Sequence, residues 1–252
     1  MTLELTVSPD FSPDHIAGWY VFNTWLQRRT GERIHLELYD DFDSQRRAIA
    51  ADKVDLIYAN PHDAAMLVRE KGFTALAAPI NKPDEVVLAV PEGSPAASVE
   101  QLRPGLRLVM ANDPDVNMIG MILLEPADLS RANTESRQVG SYVLVAKNLL
   151  TGKADAGFFL KDAYHNLSAV IRKQLKVLVT SEISDVRHVL MVGPRCAHLK
   201  DQLRSELLSM ADPQFDSGKG VLALQALGLQ GWENQDEEAT EFMIDLMDTL
   251  TA

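Results

Sequence analysis

The sequence predicts an α/β fold in two lobes, each a mixed sheet flanked by helices, and three observations carry that expectation. First, Phe42–Leu67 reads as an amphipathic helix with Ala48 and Ile49 inward and Arg46 and Arg47 outward. A turn at Asp52-Lys53 follows, then a buried apolar strand Val54–Tyr58, a break at Asn60-Pro61 and a new helix from His62. Second, Val143–Leu167 repeats this order, and Lys153 and Asp155 fall opposite Lys53 and Asp55. Third, two β-prone runs, EVVLAV at Glu85–Val90 and RHVLMV at Arg187–Val192, bracket the second copy. They read as two hinge strands by which the chain leaves one lobe and returns. The expected division is therefore 1–84 with 187–252 for a discontinuous first lobe, and 85–186 for the second.

The remaining elements follow from period and punctuation. Leu3–Val7 is the first strand, and Ser8–Asp14 a polar loop. A helix from about His15 to Arg29 takes Asp14 as its N-cap and Gly31 as its stop. Ile34–Leu38 alternates as the second strand, and the helix after it is expected to be capped near Asp43 or Ser44. Phe73–Ala78 reads as a strand, Ser98–Leu102 as a short helix, and Leu106–Met110 as a strand. The loop Ala111–Asn117 opens a helix Met118–Leu124. Leu175–Thr180 is a further strand, and Asp201–Met210, Lys219–Ala226 and Glu237–Leu250 are closing helices.

Composition excludes several classes. The chain has 252 residues, 46% hydrophobic and 24% charged, enough for one large domain or two lobes with their own cores. With 36 acidic against 24 basic residues the formal charge is −12, and no basic stripe is visible, which argues against a nucleic-acid partner. The lone Cys196 allows neither an intrachain disulfide nor a cysteine zinc site, and reads as a small buried or half-buried side chain. The six histidines share no helix face at ligand spacing, so no metal and no cofactor are expected. No G-x-S-x-G elbow or phosphate-cradling loop occurs, and no window reaches the ~18 apolar residues of a membrane span. MTLELTVSPD carries no signal-peptide pattern, so the expectation is a cytoplasmic protein as the sequence stands, or a periplasmic one if a leader has been removed.

In an open α/β sheet, ligands sit beyond the carboxyl ends of strands, which makes Ala59–Asp63 a natural site wall. Asn60 and His62 offer an amide and an imidazole there; the plainer reading is an asparagine turn with Asp63 serving the helix dipole. Ser141 and Tyr142 offer two hydroxyls, or else an N-cap and a packed ring. Lys161 is the one base in the loop after the second copy's strand, and a solvated lysine is its plainer reading. The run Asn112-Asp113-Pro114-Asp115 places acids where the positive end of a helix dipole would otherwise meet an anion. Trp19, Tyr20 and Trp25 fall at spacings that favour core packing.

Five segments, WLQRRTG (Trp25–Gly31), FDSQRRAIAADKVDLIYANP (Phe42–Pro61), SVEQLRPGLRLVMANDP (Ser98–Pro114), GSYVLVAKNLLTGKADAG (Gly140–Gly157) and LQALGLQGW (Leu224–Trp232), occur in one order over nearly the whole chain. In them the chain resembles the phosphonate/phosphite-type solute-binding proteins of ABC transporters, a branch of the type II periplasmic-binding fold. The resemblance implies a two-lobed binding protein that closes by a hinge on a small ligand, an oxyanion or organic acid, and a partner ABC permease if it is exported. A monomer is expected, and no residue set reads as a convincing nucleophile or acid/base pair, so no catalytic residues are expected. The resemblance also places Phe11 and Ser12 in a ligand-contact loop, for which an exposed loop tip is the plainer reading, and an anion at helix N-termini. The family's Ser-Thr-Ser-Gly run is Val116-Asn117-Met118-Ile119-Gly120 here, its aromatic after the Asn-Pro break is Ala64, and its acid after the Ala-Asp-Ala-Gly strand is Leu160. The expected ligand set is thus Phe11, Ser12, Asn60, His62, Asn117, Ser141, Tyr142 and Lys161, in a diverged pocket. A cytoplasmic enzyme or sensor of the same fold, acting on a small carboxylate-bearing metabolite, is the alternative.

Overall fold

The computed structural model describes residues 2–11 and 13–251. The chain divides into two compact units, Met1–Lys82 with Arg187–Met247 and Pro83–Val186 with Asp248–Ala252.

The first unit opens with β1 (Thr2–Val7), α1 (Ile16–Thr30), β2 (Arg33–Leu38), α2 (Phe42–Ala50), β3 (Leu56–Ala59), α3 (Pro61–Lys71) and β4 (Thr74–Pro79). The second holds β5 (Val86–Pro91), β6 (Leu106–Ala111), α4 (Pro114–Ile122), β7 (Thr134–Val139), α5 (Tyr142–Leu150), β8 (Ala156–Leu160), α6 (Lys161–Asn166), α7 (Ala169–Arg172) and β9 (Leu175–Thr180). The chain ends with β10 (Val189–Val192), α8 (Lys200–Ser209), α9 (Lys219–Leu227), β11 (Trp232–Asn234) and α10 (Glu237–Thr251).

The first sheet has the order β11-β4-β10-β3-β1-β2, parallel from β3 to β2 and antiparallel where β10 and β11 enter. The inner parallel strands β1 and β3 are largely buried, with Leu5, Val7, Leu56 and Ile57 almost wholly removed from water, while the edge strand β2 alternates between exposed and buried residues. α1 presents Trp19, Phe22, Trp25 and Leu26 to that core, where Trp232 of β11 meets them. Tyr20, expected to pack with the tryptophans, is instead about half exposed. α1 lies so close to α9 that any side chain at Gly18 would strike the Ala226 carbonyl. Gly31 ends it at φ 76°, its N–H donating to the Gln27 carbonyl, as a left-handed C-cap glycine does.

The second sheet has the order β7-β6-β8-β5-β9, with β7, β6 and β8 parallel and β5 antiparallel to both its neighbours. Its core is Val87, Ala89, Val109, Val145, Leu149 and Phe159.

Several expected boundaries move, each for a local reason. α1 begins at Ile16 because Asp14 is taken into the 3-10 turn Pro13–His15. α2 is capped by Asp41, whose carboxylate accepts the Ser44 N–H, and not by Asp43 or Ser44. α4 begins four residues before the expected Met118: Asp113 caps it and Pro114 takes the first position, where a missing N–H costs nothing. β11, only three residues long, was not anticipated; of β7, a polar edge strand with no apolar alternation, only a strand end at Gln138–Ser141 is expected from the sequence, and the strand runs earlier, from Thr134 to Val139.

Candidate ligand-binding site

In the first unit the carboxyl ends of β1 and β3 lie side by side, and β10 runs against β3 with Val189 opposite Ala59. That register brings His188 to the place where the loop after β1 leaves the sheet. Its Nε2 lies 3.1 Å from a carboxylate oxygen of Asp10, and both side chains are less than a tenth exposed. The His188 ring stacks on Tyr58 at 5.0 Å, and Tyr58 rests in turn against Trp19. Burial alone would push the Asp10 carboxyl up; the charge and hydrogen bond of His188, with help from Ser8, hold it below the usual carboxylate range.

Asn60 is wholly buried, and its two side-chain ends are already engaged. The Oδ1 accepts the Asp63 N–H at 2.7 Å and so caps α3, while Nδ2 donates to Ser8 Oγ at 3.3 Å. The plainer reading of Asn60 therefore describes its geometry. Arg46 donates to Asp63 at 2.6 Å and lies over the Phe42 ring. His62 is exposed on α3; desolvation by the surrounding protein pulls its pKa below the ordinary value, against the pull of Asp63 and with a push from Arg46. Phe11 is half-buried and packs on the first unit's core, so it is no exposed loop tip. Ser12 lies outside the described residues.

In the second unit three expected residues gather at two helix starts. Asp113 caps α4 by accepting the Val116 N–H at 3.3 Å, and its other oxygen accepts the Tyr142 hydroxyl at 2.6 Å. Tyr142 stands at the first position of α5, its ring stacked on Phe159. Ser141 caps α5 from an exposed position, accepting the Leu144 N–H. Asn117 is buried inside α4, not in a loop as expected; its Nδ2 donates to the Ala111 carbonyl at 2.9 Å, and its Oδ1 has no hydrogen-bond partner among the described residues. Lys161 starts α6, its N–H donating to the Glu85 carbonyl at 2.7 Å. The structure thus brings Ser141 and Tyr142 to one helix start and Asn117 to the next, and sets Lys161 on a separate element.

Sequence reading missed the Asp10–His188 pair and the Asp113–Tyr142 hydrogen bond. Separations of 178 and 29 residues leave no local pattern for either. Cys196 is buried as expected, donates its thiol to the Asp55 carbonyl at 3.3 Å, and is pushed up to about 11 by burial, which makes it a poor nucleophile at neutral pH. No group of three or more metal-ligating side chains occurs among the described residues.

Two α/β units with polar residues at parallel strand ends and helix starts form the architecture of a solute-binding protein of the type II periplasmic class. The chain belongs to the family described as "ABC transporter, phosphonate, periplasmic substrate-binding protein", whose model matches residues 5–240. Among solved structures it is similar to PhnD1 from Prochlorococcus marinus in complex with methylphosphonate, with TM-score 0.83 and 14% identity over 99% of this chain and 98% of that one. It is also similar to XAC2383 from Xanthomonas citri bound to ATP, with TM-score 0.78 and 18% identity over 99% and 97% of the two chains. A third is a binding protein component of an ABC phosphonate transporter from Pseudomonas aeruginosa, with TM-score 0.73 and 15% identity over 100% and 89%. At these identities the likeness is one of fold. A search of curated proteins returns no match. No helix among the described residues is long and apolar enough to cross a membrane.

Proposed function

We propose that this chain binds a small solute and hands it, chemically unchanged, to an ABC permease, and that the solute is not a tetrahedral dianion such as phosphate or a simple phosphonate. The observation that carries the second half is Asp113. A helix start attracts anions because its backbone N–H groups are unpaired and its dipole is positive there. At α4 that place is taken by the chain's own carboxylate, held by the Val116 N–H and the Tyr142 hydroxyl. α3 is closed in the same way by Asn60, with Asp63 in its first turn. A dianion approaching the start of α4 meets like charge, and one approaching the start of α3 meets an occupied cap, on a protein whose formal charge is −12.

Two candidate contact sets are proposed, each within its own unit: Phe11, Tyr58 and His188 in the first, and Asn117, Ser141 and Tyr142 in the second. Support for a binding rather than a catalytic role comes from the family and from the state of the candidate groups: the thiol is buried and protonated, and Ser141 is engaged as a cap. The protein acts as a monomer, outside the cytoplasm where its family works.

Native mass spectrometry of freshly purified protein tests the reading. A retained species of a few hundred daltons or less, carrying at most one negative charge, is the expected result. Retained phosphate or a phosphonate would overturn the assignment of ligand class, and turnover of the retained species on incubation would overturn the non-catalytic role.

A further inference from the structure

Glu85 stands apart from both helix-start sites and is 3% exposed. A carboxylate so placed is costly unless its oxygens are hydrogen-bonded, and both of them are. One accepts the Ser181 hydroxyl, and the other accepts the Ser184 N–H at 2.9 Å. Ser181 is bound a second and a third time: its Oγ accepts the Val86 N–H at 2.8 Å, and its own N–H donates to the Val86 carbonyl at 2.9 Å. One residue further out, the Asp84 N–H donates to the Val186 carbonyl at 2.8 Å.

The location gives these bonds their meaning. The chain enters the second unit at Pro83 and leaves it at Val186. The paired register of β5 and β9 ends at Val87 and Thr180, so the stretches 83–86 and 181–186 lie beyond that ladder, while Val86 still pairs with Leu160 of β8. Within the second of them Ser184 adopts φ 63°, a left-handed conformation that a residue other than glycine holds only where its surroundings fix it. Its N–H is the one that Glu85 accepts. The Glu85 carboxylate therefore adds to two backbone hydrogen bonds in holding the outgoing connection against the start of the incoming one.

We propose that Glu85 ties these two connections between the units into one strap, so that they loosen together and not one at a time. In a binding protein whose chain crosses between two units, this sets how conformational change is shared between the crossings. The strap does not depend on the ligand class.

Hydrogen–deuterium exchange of the full chain, read peptide by peptide, tests it. Glu85→Gln keeps the shape of the side chain but cannot accept from both Ser181 and Ser184. Loss of a hydrogen bond to a charged group is expected to speed exchange roughly tenfold to a hundredfold, in 83–86 and in 181–186 alike, with β6 and α5 unchanged. A rise in only one of the two stretches, or a uniform rise over the whole second unit, would overturn the proposal. Should Glu85→Gln not fold, Ser181→Ala decides the matter, because it leaves the Ser184 N–H and Glu85 in place. Faster exchange at Val86 alone would be the local loss of an acceptor and would count against the strap; faster exchange at Val86 together with Ser184 is the expected result.

Discussion

Asp55 and Asp155 stand at the same point of two equivalent stretches, yet one is buried and the other is open to water. The approach to each is the same. At the ends of α2 and α5, Ala51 N–H donates to Arg47 O and Thr151 N–H to Lys147 O; Asp52 N–H donates to Ile49 O and Gly152 N–H to Leu149 O; Lys53 N–H donates to Ala48 O and Lys153 N–H to Asn148 O. The turn is left-handed in both, at Asp52 with φ 52° and at Gly152 with φ 69°. Each aspartate then pins the neighbouring strand: Asp55 accepts the Glu4 N–H at 2.9 Å and Asp155 accepts the Arg107 N–H at 3.1 Å. The difference is the cation. Asp55 is wholly buried and holds Arg195 by two bonds of 2.7 and 2.8 Å, from 140 residues away, whereas Asp155 pairs with Arg107 on the strand it already touches, with both side chains more than 40% exposed. The repeated sequence sets the backbone. Burial sets what the same side chain is worth.

The largest expected effect breaks the comparison on its buried side. Asp55→Ala removes the acceptor of the Glu4 N–H and the partner of Arg195, and is expected to cost about 2–4 kcal/mol of folding stability. Urea denaturation measures it, and a loss no greater than that of the exposed counterpart would mean that burial is not the difference that matters.

A second substitution extends the comparison to the helices that follow. α3 is capped by the Asn60 side chain, whereas the equivalent Leu160 gives α6 no side-chain cap. Asn60→Ala is expected to lower stability by about 1–2 kcal/mol, since it removes both the cap and the hydrogen bond to Ser8. If stability is kept and only ligand affinity falls, Asn60 binds the ligand after all.

Acid titration sharpens the account of the first unit. The Asp10 carboxyl is held below its ordinary value of 3.8 in the folded chain. A depressed carboxylate pKa contributes stability that is fully present above the unfolded value and is lost as pH falls through the folded one. Unfolding free energies measured from pH 6 down to pH 3 should therefore fall more steeply for the natural chain than for Asp10→Asn. Equal slopes would leave the His188 pair without energetic weight. The smallest effect is expected for Asp155→Ala, since exposed pairs contribute little; a melting midpoint close to that of the natural chain is the prediction, and a loss rivalling Asp55→Ala contradicts it.

What could be read in the sequence was what repeats or is local. The two helix–turn–strand stretches, the glycine stop at Gly31 and the cap at Ser141 all depend on neighbours within a few residues. Asp41 was overlooked as the cap of α2 because three acids within four positions, Asp40, Asp41 and Asp43, offer nearly equal chances, and only the backbone decides among them. The start of α4 was legible in principle, since an aspartate followed by proline is a helix opening; the apolar run from Met118 drew the boundary too far along. The pairs Asp10–His188 and Asp55–Arg195 depend on the order in which strands are laid into the first sheet, and nothing local marks them.

The central claim is that this chain binds a solute while its own side-chain oxygens keep tetrahedral dianions from the helix starts. A melting screen tests it most directly, with phosphate, phosphite, methylphosphonate, aminoethylphosphonate and sulfate set beside small carboxylates and apolar acids. A ligand at a hundred times its dissociation constant adds about 2.7 kcal/mol, which for a chain of this length raises the melting temperature by roughly 5–10 °C. The account predicts a shift of that size only with a less charged or more apolar compound; the same shift with any phosphonate, phosphite or phosphate would contradict it.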